Sequence, residues 1–523
     1  MFMSVGIMAI AGCNATDTVS DKVTDSSNEA IETTAEEMAS NPDRTTDLDK
    51  SDEEDAITEP KEKQYTCQGI TITLPEEWNG RCVMVEHECG FSIYQKASYE
   101  MDDTTGYVCG FFYTQEPVEY THGKNLIAYT EGGSLYYLVY PTDIPCDTDD
   151  EKIIGEYVRM CQQVPQVKTS LRIEAVGVHY HADEFIFPTS SILPLDQAYL
   201  TGLSDNSLWI AKNEIYARHG RQFLNMYLQD YFNRCTWYDG KISANAFSDS
   251  LLSQIEKDNL QLLADAEAEY DRQHPYPKRY QASETGLEDL NGDGSMDEIS
   301  YQVIEQNNGE NLCMITVNGE TYIANDLSRS ESDFGMMNPT LSCFYITDIL
   351  ENDNTLEIAV LDEGASEDPV TYFFQYNGTL SYIGQVPGVP FADISGGLNG
   401  FNGEGNITGY FQLDLIETSY VQDSWWYNGS EIVDLDIRWH DFLPSFSHTL
   451  YEDLPVYCEQ DTTSAATVIP AQEEVFFLGT DAEHWILVKG KDGSQGYMFL
   501  ENEKIEALDK PAEEVFSNLQ FSG

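Results

Sequence analysis

The sequence predicts a multi-domain α+β protein, with sheet-forming and helix-forming stretches following one another in blocks. Three observations predict it. Between residues 65 and 175, short runs of period-two alternation precede a single helical run. Around residue 210, apolar residues fall at helical spacing between capping residues. From about residue 280 onward, strand-like runs recur with Asn-Gly turns between them. Blocks of this kind imply antiparallel sheets with helices segregated from them. At 523 residues and ~150 per domain, three to four domains are expected.

The chain opens with MFMSVGIMAIAGC (1–13), an apolar run too short to span a membrane. It ends in Ala11-Gly12-Cys13 and resembles a bacterial lipoprotein signal. The resemblance implies lipidation of Cys13 and a protein held on the cell surface, at the outer face of a bacterial membrane. No Lys or Arg precedes the apolar run, which departs from the usual signal. Residues 14–64 contain no Phe, Trp or Tyr and are dense in Asp, Glu, Ser and Thr. Such a segment buries too little apolar surface to offset its conformational entropy, so a disordered, charge-extended acidic tether is expected.

Charge narrows the partners. The chain carries 27 Lys+Arg against 91 Asp+Glu, a formal net charge of −64. Nucleic acid and anionic membrane surfaces are thereby excluded as electrostatic partners.

Residues 65–175 read as a sheet-plus-helix domain. ITITL (Ile70–Leu74), GFSIY (Gly90–Tyr94), GYVCGFFY (Gly106–Tyr113) and SLYYLVY (Ser134–Tyr140) predict antiparallel strands. A helix is predicted over about Asp149–Gln163. Cys67, Cys82, Cys89, Cys109, Cys146 and Cys161 lie in this domain. Two readings stand: up to three disulfides, with 15 possible connectivities, or free buried thiols. His87-Glu88-Cys89 reads as a turn before it reads as a metal fragment. In VHYH, His179 and His181 would share one face of a strand, but two ligands do not make a metal site.

The next block, over 196–275, is helical. Leu208, Ala211, Ile215 and Arg218 share a face, Ser204 is placed as N-cap, and Gly220 follows the last turn. A second helix is predicted over Met226–Phe232, capped by Asn225. A third is predicted from about Ser250 to Tyr270, with Leu251, Ile255, Leu262, Leu263 and Ala266 near one face. NEIYARHG (Asn213–Gly220), Tyr231-Phe232, Trp237-Tyr238 and IEKDNLQLL (Ile255–Leu263) together resemble the YARHG domain. The resemblance implies an extracellular bacterial module with no established chemistry. Asn213, Glu214, Arg218, His219 and Arg221 are the candidates there for a ligand-binding polar cluster. The structural alternative is that they cap helices and tie loops, the usual work of buried polar groups in small helical units.

The strongest chemical signal lies in DLNGDGSMDEI (Asp289–Ile299). Asp289, Asn291, Asp293, the Ser295 carbonyl and Asp297 place oxygens at alternate positions around a turn, as a hard cation requires. The position that an EF-hand fills with Glu is Ser300. The loop instead resembles the calcium turn of integrin-type (FG-GAP) repeats, and calcium is the expected cofactor. The pattern repeats 59 residues later as DILENDNTLEI (Asp348–Ile358), where Leu350 and Leu356 replace two ligands. Asn318-Gly319, Asn377-Gly378 and the WWYNGSEIV stretch (Trp425–Val433) mark hairpins of three successive units. A partial stack of antiparallel sheets is expected over 280–440.

Residues 447–508 carry short strands at Val456–Glu459, Glu474–Gly479, Trp485–Gly490 and Gln495–Leu500. They resemble a bacterial SH3-like domain, which implies a small closed β-barrel. Gly496-Tyr497 stands where many members have Gly-Trp.

The chain lacks G-x-S-x-G, H-E-x-x-H and a phosphate-binding glycine loop. The expected function is therefore non-enzymatic: binding of an envelope or extracellular ligand through stacked modules, with peptidoglycan or another envelope protein as partner. The alternative is a cell-wall hydrolase using carboxylates of the 65–175 domain.

Overall fold

The computed structural model describes residues 23–24, 63–115, 126–141, 146, 148–282, 284–306, 310–328, 337–340, 343–364, 368–444, 446–502 and 504–521. Cys13 and nearly all of the acidic stretch lie outside the described residues. The chain divides into two units, one reaching His179 and one running from Tyr180 to Gly523.

In the first unit, alternation produces strands where it is strongest. Ile70–Leu74 is a strand with Ile70, Ile72 and Leu74 buried and the two threonines half-buried. Gly90–Gln95, Tyr107–Thr114 and Leu135–Val139 form at the expected runs. They pair antiparallel with Cys82–His87 and Leu126–Thr130 in one sheet. The helix Glu151–Gln162 is capped by Asp150, which accepts from the Lys152 amide. It lies on this sheet: the Tyr157 hydroxyl donates to the Tyr107 carbonyl at 2.9 Å, and Gln95 Nε2 donates to the Ile153 carbonyl at 2.9 Å. No described cysteine is joined in a disulfide, so the thiol alternative is the one this structure contains.

One expectation fails at the unit's end. The strand Val178–Tyr180 stops before His181, whose φ of +57° is left-handed. His179 stacks on Tyr129 with ring centroids 4.7 Å apart. The two histidines therefore share no strand face. His87 closes its strand, and Glu88-Cys89 is the turn that follows.

The second unit begins with the helical block. Asp205–Arg218 is capped by Ser204 and Met226–Asn233 by Asn225, both as predicted. The third helix is Gln254–Gln273, closed by a capping box in which Ser253 and Glu256 satisfy each other's amides. It starts four residues later than predicted because Ser253, not a residue before Ser250, supplies the cap. Leu251 is consequently 47% exposed, and Leu252 fills the core beside Leu208, Ile215 and Leu263. Gly220 has φ +74°, and a Cβ there would meet the Asp239 carbonyl at 2.8 Å, so this helix end requires glycine.

Three antiparallel sheets follow and pack face to face. The first holds Gly286–Glu288, Asp297–Glu305, Asn311–Val317 and Glu320–Ile323. The second holds Lys278–Gln281, Cys343–Thr347, Glu357–Asp362, Val370–Tyr376 and Leu380–Pro387. The third holds Asn406–Asp414, Thr418–Tyr427 and Ile432–Asp434. Ile299, Tyr301 and Ile315 of the first meet Phe344, Ile358 and Phe374 of the second. On the other face of the second, Tyr345, Ala359 and Phe373 meet Ile407, Trp425 and Tyr427 of the third. Position in the stack explains sequence texture. The central strands Cys343–Thr347 and Glu357–Asp362 are buried at every residue and read as continuous apolar runs. Thr418–Tyr427, the middle strand of the outer third sheet, alternates. The Asn318-Gly319 turn has both residues at positive φ, which suits the twist of a two-residue hairpin.

The C-terminal strands form close to where they are predicted, as Leu454–Tyr457, Glu474–Thr480, Trp485–Gly490 and Gln495–Glu501. They do not make a closed barrel. Leu454–Tyr457 touches Gln495–Glu501 at one residue pair, Tyr457 with Tyr497. The sheet runs out to Ala466–Ile469 at one edge and His440–Asp441 at the other. Among the described residues no helix is long and apolar enough to cross a membrane.

Candidate functional site

The predicted polar cluster of the helical block works inward. Glu214, 1% exposed, accepts from the Ile186 and Phe187 amides at 2.8 and 3.5 Å. Burial pushes its carboxyl up to about 7, with Arg218 opposing the shift. Arg218 donates to the Phe187 carbonyl and to Ser190 Oγ, each at 2.8 Å, and covers the Phe185 ring at 4.3 Å. Together they clamp residues 185–190 onto the first helix. Asn213 Nδ2 donates to the Trp209 carbonyl one turn back. His219 Nε2 lies 2.8 Å from Glu256 Oε1, joining the first helix to the third. The Arg221 guanidinium lies over the rings of Tyr216, Phe223 and Phe247 at 4.8–5.7 Å. All five residues contact their own module.

A polar seam joins this module to the C-terminal sheet. Glu184 accepts from the Thr236 amide at 2.8 Å and from Lys489 Nζ at 2.5 Å. Burial raises the Glu184 carboxyl, but Lys489, Thr236 and His181 together outweigh it and hold the group below its ordinary range. Lys491 Nζ donates to the Asn233 and Cys235 carbonyls at 2.7 Å. Arg234 donates to the carbonyls of Phe442 and Leu443.

In the predicted cation loop, Asp289, Asn291, Asp293, Ser295 and Asp297 sit on one turn between Gly286–Glu288 and Asp297–Glu305. Asp289 accepts from the Asp293 and Gly294 amides at 3.1 and 2.8 Å. Asn291 Oδ1 also accepts from the Asp293 amide at 3.1 Å. Asp293 is exposed and accepts from the Ser295 amide at 2.7 Å, which holds its carboxyl below the ordinary range. Asp297 is buried, accepting from the Leu290 amide at 3.1 Å and from Asn318 Nδ2 at 2.7 Å. The turn is therefore braced by its own amides. Among the described residues, no three His, Cys, Asp or Glu side chains converge as a metal group.

The structure adds a feature that sequence reasoning missed. A cavity of about 520 Å³ opens where the helical block meets the second and third sheets. Asn206 and Tyr227 reach it from the helices, Leu361 and Val389 from the second sheet's side, and Tyr410 from the third. Its volume and mostly apolar wall are those of a small-molecule site. The loop over 396–400 completes it and is fixed by polar bonds to the helix starts. Asn206 and Asn399 exchange bonds of 2.8 and 2.9 Å, and Asn225 Nδ2 donates to the Gly396 carbonyl at 2.8 Å. No local motif marks such a site, because its walls come from residues more than two hundred positions apart.

Compared with known families, residues 183–268 match the YARHG domain. The match begins earlier than the resemblance places it and takes in the segment that Glu214 and Arg218 clamp. No curated protein and no solved structure matches the chain.

Proposed function

We propose that this chain is a non-enzymatic binding protein, lipid-anchored through Cys13 at the outer face of a bacterial membrane. Its ligand, a component of the cell envelope or its surroundings, would occupy the cavity where the YARHG-matched helices meet the β-sheets. That cavity is the observation that carries the reading. It has the volume of a ligand site, and its wall includes Asn206 and Tyr227 of the matched module. The C-terminal sheet, which resembles an SH3-like domain in its strand sequences, would present the module to the wall.

Calcium belongs to the same proposal. Asp289, Asn291, Asp293 and Asp297, with the Ser295 carbonyl, supply the hard oxygens that the ion prefers. Each carboxylate oxygen accepting one amide proton keeps a second lone pair for a cation. The ion would neutralise three carboxylates on one turn and stiffen the first sheet of the stack. It takes no part in a reaction.

The test uses full-length Cys13→Ala protein, which cannot be lipidated, and purified sacculi with calcium or with chelator. Retention should be lost in Leu398→Trp, which fills the cavity, and weakened by chelator or Asp293→Ala. Equal retention of Leu398→Trp and the parent would remove the cavity from the reading.

A further inference from the structure

We propose that the ligand is a linear chain of neutral N-acetylated sugars, held with a ring against tyrosine and an acetamido group on Gln422. The proposal rests on the cavity reading above and names the ligand's chemical class. Strand register fixes the arrangement of the wall. Tyr410 stands directly opposite Gln422 on the paired strands Asn406–Asp414 and Thr418–Tyr427. Thr408 and Tyr420 lie two residues away along the same strands and so share that face. These residues all line the first cavity. Tyr410 and Tyr420 meet edge to face, with ring centroids 5.5 Å apart.

Hydrogen-bonding capacity on this face is left over. The main chain of Gln422 is in use, its carbonyl lying 3.1 Å from His440 Nδ1. Its side-chain amide and Thr408 Oγ1 have no hydrogen-bond partner among the described residues, although both residues are half-buried. Other polar groups of the wall are engaged by the protein. Asn399 donates to Asp205, and Glu363 accepts from the Thr340 amide and hydroxyl at 3.0 and 2.6 Å. A primary amide offers donors and an acceptor in one plane. Another amide is its complement, and an acetamido group supplies one together with a methyl for the aromatic wall. Thr408 suits a sugar hydroxyl, which can donate and accept as threonine does.

Charge and shape narrow the class. Among the described residues, no Lys, Arg or His lines the cavity, so a ligand carboxylate would meet no counter-charge there. That disfavours the peptide stems of a cell wall and favours its neutral glycan. The tyrosine rings, with Val389, Pro390 and Leu398, present apolar surface to the C–H face of a sugar ring. A second cavity of about 530 Å³ shares Pro369, Tyr410 and Tyr420 with the first, so a chain can continue past the tyrosines. A single sugar would leave that second space empty, whereas a glycan strand uses both.

Calorimetric titration of the full-length Cys13→Ala chain with the β-linked trimer of N-acetylglucosamine tests the proposal. One saturable site is expected. Cellotriose, with the same linkage and no acetamido groups, should bind about tenfold more weakly, the measure of one lost hydrogen-bonded pair. Gln422→Ala should weaken the N-acetylated trimer by a similar factor and abolish its advantage over cellotriose. Tyr410→Leu should weaken both sugars alike, and Thr321→Ala on the first sheet should leave both unchanged. Saturation transfer from aromatic protons of the protein to the acetyl methyl gives a second readout, on variants whose thermal unfolding matches the parent. Equal binding of the two sugars, or an advantage that survives Gln422→Ala, would overturn the proposal. So would binding of stem peptides released from sacculi in place of the trimer. The two readings fail separately. Sacculus retention lost in Leu398→Trp without trimer binding keeps the cavity and removes the glycan. Trimer binding without sacculus retention keeps the sugar site and removes the wall as its source.

Discussion

The turns that open the first and second sheets share one frame and use their acids in opposite ways. In the first, the Leu290 amide donates to Asp297 at 3.1 Å; 59 residues on, the Ile349 amide donates to Glu357 at the same distance. The equivalent acid is displaced by one residue, since Leu356 occupies the position that matches Asp297. In the first turn the remaining acids face solvent and accept from their own amides. The second turn is wedged between neighbours. Leu356 donates to the Leu290 carbonyl on one side, and Glu351 donates to the Gly403 carbonyl on the other. Its acid is fully buried, and Glu357 Oε1 has no hydrogen-bond partner. The comparison shows that what persists between repeats is a buried acceptor for one backbone amide, with or without the metal-ligand pattern around it.

The sharpest way to break the contrast is to remove the charge from the second turn. Burial pushes Glu357 from its ordinary value of 4.5 to about 8, with Asp353 and Asp348 adding to the shift. Below about pH 4.5 the carboxyl is neutral in both folded and unfolded chains. Between there and about pH 8 the unfolded chain ionises it while the folded chain keeps the proton, so stability falls as pH rises and levels off above. At 1.36 kcal/mol per unit, the loss is on the order of 4–5 kcal/mol by pH 8. Glu357→Gln keeps the acceptor for the Ile349 amide and carries no charge. Denaturant unfolding should find it more stable than the parent at pH 8, by about that amount, and equal at pH 4. Equal stability at both would mean that the buried acid ionises without penalty.

A smaller effect separates the glycines of the first turn. Gly292 has φ +67°, and a Cβ there would lie 2.4 Å from the Asn354 carbonyl of the second turn. Gly294 has φ +85° but nothing within 4 Å of its Cβ position. Gly294→Ala meets only backbone strain, about 1 kcal/mol, whereas Gly292→Ala adds a collision between the turns and should cost ~2–3 kcal/mol. Thermal unfolding of the pair tests whether the two turns lock together. Equal losses would leave the packing between them without energetic weight.

What the sequence made legible follows from range. The helix starts could be read because Ser204 and Asn225 act within three residues of themselves. Strands such as Ile70–Leu74 could be read because one buried face imposes alternation. The 59-residue period located the equivalent turns, but not Glu357 as the acid that replaces Asp297, because a one-residue shift defeats alignment by type. A third turn over 402–405, where Asn402 accepts from the Glu404 and Asn406 amides, is too short to register as a copy. The barrel expectation failed because strand sequences specify strands and not closure, which depends on pairing between distant edges. The cavities were invisible for the same reason. Asn206 and Asn399 carry no mark of each other.

The smallest expected effect bears most directly on the metal. Asp293 is exposed, and its bond to the Ser295 amide lies within the turn. Without calcium, Asp293→Ala should therefore change stability by no more than about 0.5 kcal/mol, the range of ordinary surface substitutions. If the first turn binds calcium with a Kd on the order of 10⁻⁴–10⁻³ M, 10 mM calcium stabilises the parent by ~1.5–3 kcal/mol through mass action. Asp293→Ala should lose most of that gain. The second turn serves as internal control, since Leu350 and Leu356 remove two of its ligands and Asp353→Ala should leave the calcium response intact. Chemical denaturation of the three proteins with and without calcium reads all of this at once. A parent that gains nothing would make the first turn an amide-braced hairpin entrance, alike in kind to the second and different only in exposure.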